Sequence, residues 1–338
     1  MPGSTFYIRD GATGSTCTDW EVNACDVLPA TLQRGATYYI ADGSYPGYTF
    51  DDPESGGLVI TIKKATAADH GTDTGWQSSF GTGQAVFNSV LRFQRGNYVF
   101  DGSTRNEGDW FDGAAYGFRV FHNNQDQNIV ISMPSRASNN ITIKYTYIDA
   151  IVGNLPGNTI RRLAIDTDPY DSNVFATGLV FSRMFIRGSN NHWSIRGTAG
   201  TIVEYSAADC VAGNGGNHGS NVNLYYTSEN AVIRFNIFRR SFDNGCGQGS
   251  GGGTSSIASQ DTNGHQIYGN VFDRFQVGDA AIGFDTGNSS NMQIYNNTFV
   301  KSTAGGGGIR AQNGSGNVIR NNLWVGVSSP DVNAGSGA

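Results

Sequence analysis

Ile233-Arg-Phe-Asn236-Ile-Phe238, Ile267-Tyr-Gly-Asn270-Val-Phe272, Ile294-Tyr-Asn-Asn297-Thr-Phe299 and Ile319-Arg-Asn-Asn322-Leu-Trp324 write one pattern four times. It reads apolar, two variable residues, asparagine, one variable residue, large aromatic. The copies follow each other at intervals of 34, 27 and 25 residues. A unit this short cannot bury its own apolar face, so self-similarity at such a period means units stacked on one another. The unit is too short and too β-branched for a helix pair, and helical spacing of apolar residues is missing. What remains is a coil of short strands: an all-β, single-stranded, right-handed parallel β-helix with an N-terminal cap and long loops. Equivalent residues of successive coils then sit about 4.8 Å apart. The isoleucines form one internal stack and the aromatics another. The asparagines form a ladder at a bend, where their side chains bond coil to coil and asparagine tolerates left-handed backbone.

The frame extends backward through Ile143-Lys-Tyr-Thr146-Tyr-Ile148, Phe181-Ser-Arg-Met184-Phe-Ile186 and Val203-Glu-Tyr-Ser206-Ala-Ala208, which makes seven registered coils. Six residues after each first apolar position stand Asp149, Arg187, Asp209, Arg239, Asp273, Val300 and Val325. Alternating signs down one outward column read either as a salt-bridge ladder that avoids like-charge contacts or as a charged wall beside a groove.

Composition agrees with a turn-rich all-β chain: 15% of the 338 residues are charged, 47 are glycine, and asparagine is abundant. A formal charge of −6 without a basic stripe argues against a nucleic-acid partner. No stretch is apolar enough for membrane insertion. The four cysteines suggest Cys17 with Cys25 and Cys210 with Cys246 in an oxidising, extracellular compartment, the alternative being free buried thiols. Met1-Pro2-Gly3 leads straight into folded-looking sequence, as in a mature secreted chain with an added start. The β-helix is expected over 1–327 with its cap in about 1–35, and 328–338 reads as a linker toward a further C-terminal domain.

Leu28-Pro-Ala-Thr-Leu32 is the one piece suited to a short helix covering the open first coil. It is followed by "RGATYYIADGSY" from Arg34 to Tyr45 and by Leu58-Val-Ile-Thr-Ile-Lys63. These runs resemble the opening coils of secreted parallel β-helix proteins of the pectin-lyase-like superfamily, in particular the alginate lyase and chondroitinase B group of polysaccharide lyases. The resemblance covers roughly residues 28–65 and implies the architecture more than any activity. Further on, Asp69, His70 and Asp73 read as solvated loop residues or a metal cluster. Trp110, among Glu107, Asp109 and Asp112, suits either sugar stacking or packing on the coil edge.

A second strand per coil is read at Leu163-Ala-Ile165, Trp193-Ser-Ile195, Val222-Asn-Leu224, Ile257-Ala-Ser, Ile282-Gly-Phe284 and Ile309-Arg-Ala. Alternation turns Asp166, Arg196, Asn223, Tyr225, Gln260, Asp285, Arg310 and Gln312 outward. A polar, hydrogen-bond-rich face with an aromatic suits a sugar chain. Two insertions flank it, Asp209 to Ser220 and Ser241 to Gly253. His218, between glycines, titrates near neutrality and suits proton transfer, although a surface role without chemistry is equally open to it. "GNHGS" and Asp209-Cys210 are similar to motifs of polygalacturonase-like hydrolases, but Ala208 replaces one aspartate and no Arg-Ile-Lys follows. The lyase pattern would place a lysine where Arg239-Arg240 stand.

Two function classes follow. The first is an enzyme cutting an extracellular polysaccharide. A lyase would use His218 or Tyr225 as base, with Arg234, Arg239, Arg310 or a bound Ca2+ neutralising a carboxylate. A hydrolase would use two of Asp209, Asp243, Asp261 and Asp285. Asn223, Tyr225, Arg234, Gln260, Arg310 and Gln312 would bind substrate. The second class is a non-catalytic carbohydrate-binding, adhesin or fibre-forming β-helix.

Overall fold

The computed structural model describes residues 3–121, 129–150, 163–167, 175–211, 219–225, 227–241, 255–275, 280–286, 288–301, 308–311, 314–327 and 332–334. Three long sheets, each parallel throughout, contain all but two of its strands. Sheet 1 has eleven strands, from Thr5–Ile8 and Thr37–Ile40 to Val318–Arg320. Sheet 2 has ten, from Gly43–Tyr45 to Leu323–Val325, and sheet 3 ten, from Tyr48–Phe50 to Val332–Ala334. The chain visits sheets 1, 2 and 3 in turn and begins again one coil further on, which is the right-handed parallel β-helix expected from the repeat. The last strand, Val332–Ala334, pairs with Ile309–Ala311 and lies within the segment read as a linker.

Register follows the sequence frame. Ile143, Phe181, Val203, Ile233, Ile267, Ile294 and Ile319 pair in succession in sheet 1. Phe238, Phe272, Phe299 and Trp324 do so in sheet 2, with ring centroids 5.2, 4.9 and 5.4 Å apart. Burying each such side chain stabilises the coil by about 1.5–3 kcal/mol. One continuous apolar core runs the length of the solenoid.

The asparagine ladder is present. Asn236 Nδ2 donates to Asn270 Oδ1 at 3.0 Å, Asn270 to Asn297 at 3.0 Å and Asn297 to Asn322 at 3.1 Å. The same oxygens accept the backbone N–H of the preceding coil's asparagine, and the same amides reach back to the carbonyls of Val203, Ile233, Ile267 and Ile294. The asparagines themselves are not left-handed; left-handed backbone is found one residue earlier, at Tyr145, Arg183, Tyr205, Phe235, Gly269, Asn296 and Asn321. That residue turns the corner. The asparagine after it binds the backbone groups that the turn takes out of sheet pairing.

A second left-handed column stands three residues before each first apolar position: Asn140, Gly178, Gly200, Asn230, Gly264, Asn291 and Gly316. Gly264 is doubly required, since a Cβ would also strike the Asn230 amide.

The N-terminal end differs from expectation. Residues 28–32 form no helix. The outer edge of Thr5–Ile8 is covered by the disulfide loop instead: Cys17 and Cys25 are bonded, and their backbones pair with Tyr7 and Arg9 at 2.8–3.0 Å. The proline disfavours helix in the residue before it, and a cross-linked loop blunts a strand edge equally well.

Candidate functional site

The outward charge column of sheet 2 is a salt-bridge ladder. Asp149, Arg187, Asp209, Arg239 and Asp273 are in register. Asp149 pairs with Arg119 at 2.6 Å. Asp209 is buried and held by Arg239 at 3.1 Å and by Arg240. Burial would push its carboxyl up, but hydrogen bonds and charge from Arg240 and Arg239 prevail and hold it below the usual range. A carboxylate so stabilised is suited to positioning the two guanidiniums and poorly suited to donating a proton. Arg234 stands on sheet 1, bonded to Glu204 at 2.8 Å and to the Tyr268 hydroxyl at 3.1 Å, on a different face from Asn223 and Tyr225.

Sheet 3 brings the other described candidates together. Trp193, Ile195, Val222, Leu224 and Ile257 belong to the core, so the residues between them face away from it. The register is two residues later than read at its start, since Ile165 pairs with Trp193. One outward column therefore runs Asp166, Ser194, Asn223, Ala258, Gly283, Arg310. Beside it run Arg196, Tyr225 and Gln260. Arg196 Nη2 donates to Asp166 Oδ1 at 2.7 Å. Ser194 and Asn223 are buried although they point away from the core, and Ser194 Oγ and Asn223 Oδ1 have no hydrogen-bond partner among the described residues.

Asp261 is exposed just beyond Gln260, with a positive φ, and its Oδ1 accepts the Asn288 N–H at 3.0 Å. Asp285 lies on the neighbouring strand, Ala280–Thr286, where a register shift between Ala258 and Gln260 marks a bulge. His218, Asp243 and Gln312 lie outside the described residues. So does Cys246; Cys210 itself is disulfide-bonded.

Two groups the sequence reading passed over are Ser194 and His192. The strand begins at Asn191 rather than Trp193, so its alternation was truncated. His192 is fully buried in a column with Ala164, Asn221, Ser256 and Ala281, of which the alanines belong to the core. Burial pushes its imidazole down to about 3, against the raising effects of Asp209 and Asn221. Beside it Asn221 donates to Ser241 and Ser256, each at 2.6 Å.

The other open readings resolve toward structure. Trp110 and Phe111 pack on the cluster of Tyr116, Tyr147, Phe185 and Ala207, with Arg105 over the Trp110 ring at 4.1 Å. His70 bonds Asp73 at 2.8 Å and stacks on Trp76 at 4.2 Å, while Asp69 accepts from the Tyr39 hydroxyl at 2.6 Å and pairs with Lys63. No group of three side chains suited to a metal occurs among the described residues.

No protein-family profile and no curated protein matches the sequence. Among solved structures, the chain is similar to a selenomethionine derivative of the GH136 lacto-N-biosidase from Eubacterium ramulus, with TM-score 0.53 and 10% identity over 95% of this chain. The native form of that enzyme gives TM-score 0.43 at 9% identity. This chain spans 64% of the length of the first structure. At such identity the likeness is one of fold.

Proposed function

We propose that the protein is a secreted, carbohydrate-active enzyme, a glycoside hydrolase that holds a polysaccharide along the outward face of sheet 3. The observation that carries this reading is that face itself. It aligns a carboxylate, a hydroxyl, an amide and a phenol on adjacent strands, and two of its buried polar atoms lack a partner among the described residues. A polyhydroxylated chain supplies what they lack. The parallel β-helix shared with a family 136 glycoside hydrolase supports the hydrolase arm by analogy of fold, and the Cys17–Cys25 disulfide supports an oxidising, extracellular setting.

Asp261 and Asp285 are the proposed pair of acid and nucleophile or base. Their strands are neighbours, and Gln260 beside Asp261 pairs with Thr286 beside Asp285. One to two strand spacings separate their backbones, roughly 5–10 Å. Two-carboxylate glycoside hydrolysis works with carboxyl groups about 5–9.5 Å apart, within the reach of side chains on backbones so placed. In sequence, His218 and Asp243 precede the strands Ser220–Tyr225 and Ser255–Gln260.

The test is a polysaccharide panel read for new reducing ends and for the ultraviolet absorbance of an unsaturated product. Reducing ends without that absorbance are expected, and Asp261→Asn and Asp285→Asn should each lower kcat by roughly a hundredfold or more. Absorbance with reducing ends would make the protein a lyase. Binding without cleavage would place it in the non-catalytic class.

A further inference from the structure

We propose that the stretch of sheet 3 around Ser194 and Asn223 takes an uncharged, hydroxyl-rich segment of glycan and excludes a uronate, with these two side chains bonding sugar hydroxyls directly. This rests on the reading above that the face binds a glycan.

Ser194 is wholly buried and Asn223 is 3% exposed, yet Ser194 Oγ and Asn223 Oδ1 are unpartnered. Buried polar atoms without partners are rare in native proteins, and each one needs a reason. These two are direct neighbours in one column, about 4.8 Å apart at the backbone. They face away from a core that Trp193, Ile195, Val222 and Leu224 fill. By contrast, the buried hydroxyls of Ser259, Thr262 and Ser289 bond one another and need nothing from outside.

Charge selects the kind of ligand. Asp166, one strand above Ser194, is buried and its Oδ1 accepts from Arg196 at 2.7 Å. The central groups are therefore a carboxylate, a hydroxyl and an amide oxygen, none of them a cation. The guanidinium beside them is already matched by a carboxylate. A uronate carboxylate brought here would find no unmatched cation among these groups and no proton of its own to offer the Asn223 oxygen. A sugar hydroxyl carries the hydrogen that the Asn223 oxygen lacks. Ala258 and Gly283 continue the column without a polar side-chain atom, a floor that suits the C–H face of a sugar ring.

The experiment uses matched polymers: a uronan, the same uronan after chemical reduction of its carboxyls, and a set of neutral hexose and N-acetylhexosamine glycans. Binding is measured by calorimetry at low and high salt. The expected result is binding to one or more uncharged members with little dependence on salt. Ser194→Ala and Asn223→Ala should each weaken that binding by about tenfold, and Ser194→Ala should leave Tm unchanged or raised, because the hydroxyl removed was unsatisfied in the free protein. Asn223→Ser provides a smaller perturbation should the alanine variant fold poorly. Preference for the uronan, weakening with salt, overturns the proposal and leaves the glycan-face reading standing. Binding to no member overturns both. A fall in Tm with affinity unchanged makes Ser194 and Asn223 structural and also overturns the proposal.

Discussion

The bend between sheets 1 and 2 and the face of sheet 3 use the same residue types, chiefly asparagine and serine, and treat them in opposite ways. At the bend, Asn236, Asn270 and Asn297 are buried and each bonds the coil before it and the coil after it. Ser206 joins the same chain of bonds, accepting from Met184 N–H at 3.0 Å and donating its own N–H to Asn236 at 2.9 Å. On sheet 3, Asn191, Ser194 and Asn223 are as deeply buried and carry unpartnered atoms. Satisfied polar groups hold coils together, whereas unsatisfied ones lower stability and have to be explained by what they do. Residue identity does not separate the two regions; hydrogen-bond accounting does.

The largest test of this contrast is Asn270→Ala. It strips the Asn236 N–H and the Ile233 carbonyl of partners inside a dry bend, and each buried group left unsatisfied costs about 1–3 kcal/mol. A loss of roughly 3–5 kcal/mol in urea unfolding is expected. A loss as small as that of a surface residue would show that the ladder is incidental.

A second test uses acid. His265 is buried, its Nδ1 accepts the Ala231 N–H at 2.9 Å, and burial pushes its imidazole down to about 3, as it does for His192. Both rings are neutral in the folded protein and titrate near pH 6.5 once unfolded. The unfolded chain therefore binds more protons between about pH 3 and 6.5, so stability is full above that window and falls as pH drops through it. Asn317 occupies the position equivalent to His265 and accepts the Met292 N–H at 3.0 Å. His265→Asn should thus keep the bond and be spared about 2 kcal/mol of the loss seen between neutral pH and about pH 5. Equal acid sensitivity in the two proteins, followed by thermal unfolding, would count against a neutral buried histidine.

The smallest effect is expected at the C-terminal end of the ladder. Asn322→Ala removes the same kind of bond as Asn270→Ala, but Asn322 is only half-buried and water can replace it. About 1 kcal/mol is expected. A cost equal to that of Asn270→Ala would mean that burial is not what makes the ladder strong.

Much of the architecture is legible in the chain. The spacing of Ile233, Ile267, Ile294 and Ile319, with asparagine three residues on and an aromatic five residues on, sets period, register and inward columns, because stacking equivalent positions is the one arrangement that buries them all. The alternation of Asp149, Arg187, Asp209 and Arg239 foretold an ion-pair ladder. The seven left-handed positions at Asn140, Gly178, Gly200, Asn230, Gly264, Asn291 and Gly316 were also written there as an Asn/Gly column, and were overlooked.

What the tertiary structure decided is which of the legible polar residues have partners. Arg234 and Asn223 read alike as outward polar residues of strands, and only the winding puts them on different sheets, one beside Glu204 and Tyr268, the other beside Ser194. Asp209 and Asp261 read alike as loop-edge acids, and only packing buries the first between two guanidiniums while leaving the second exposed. The sequence determined the repeat because periodicity is a local property of the chain. The fate of each side chain was decided by neighbours some thirty residues away, one coil up or down, which no local pattern encodes.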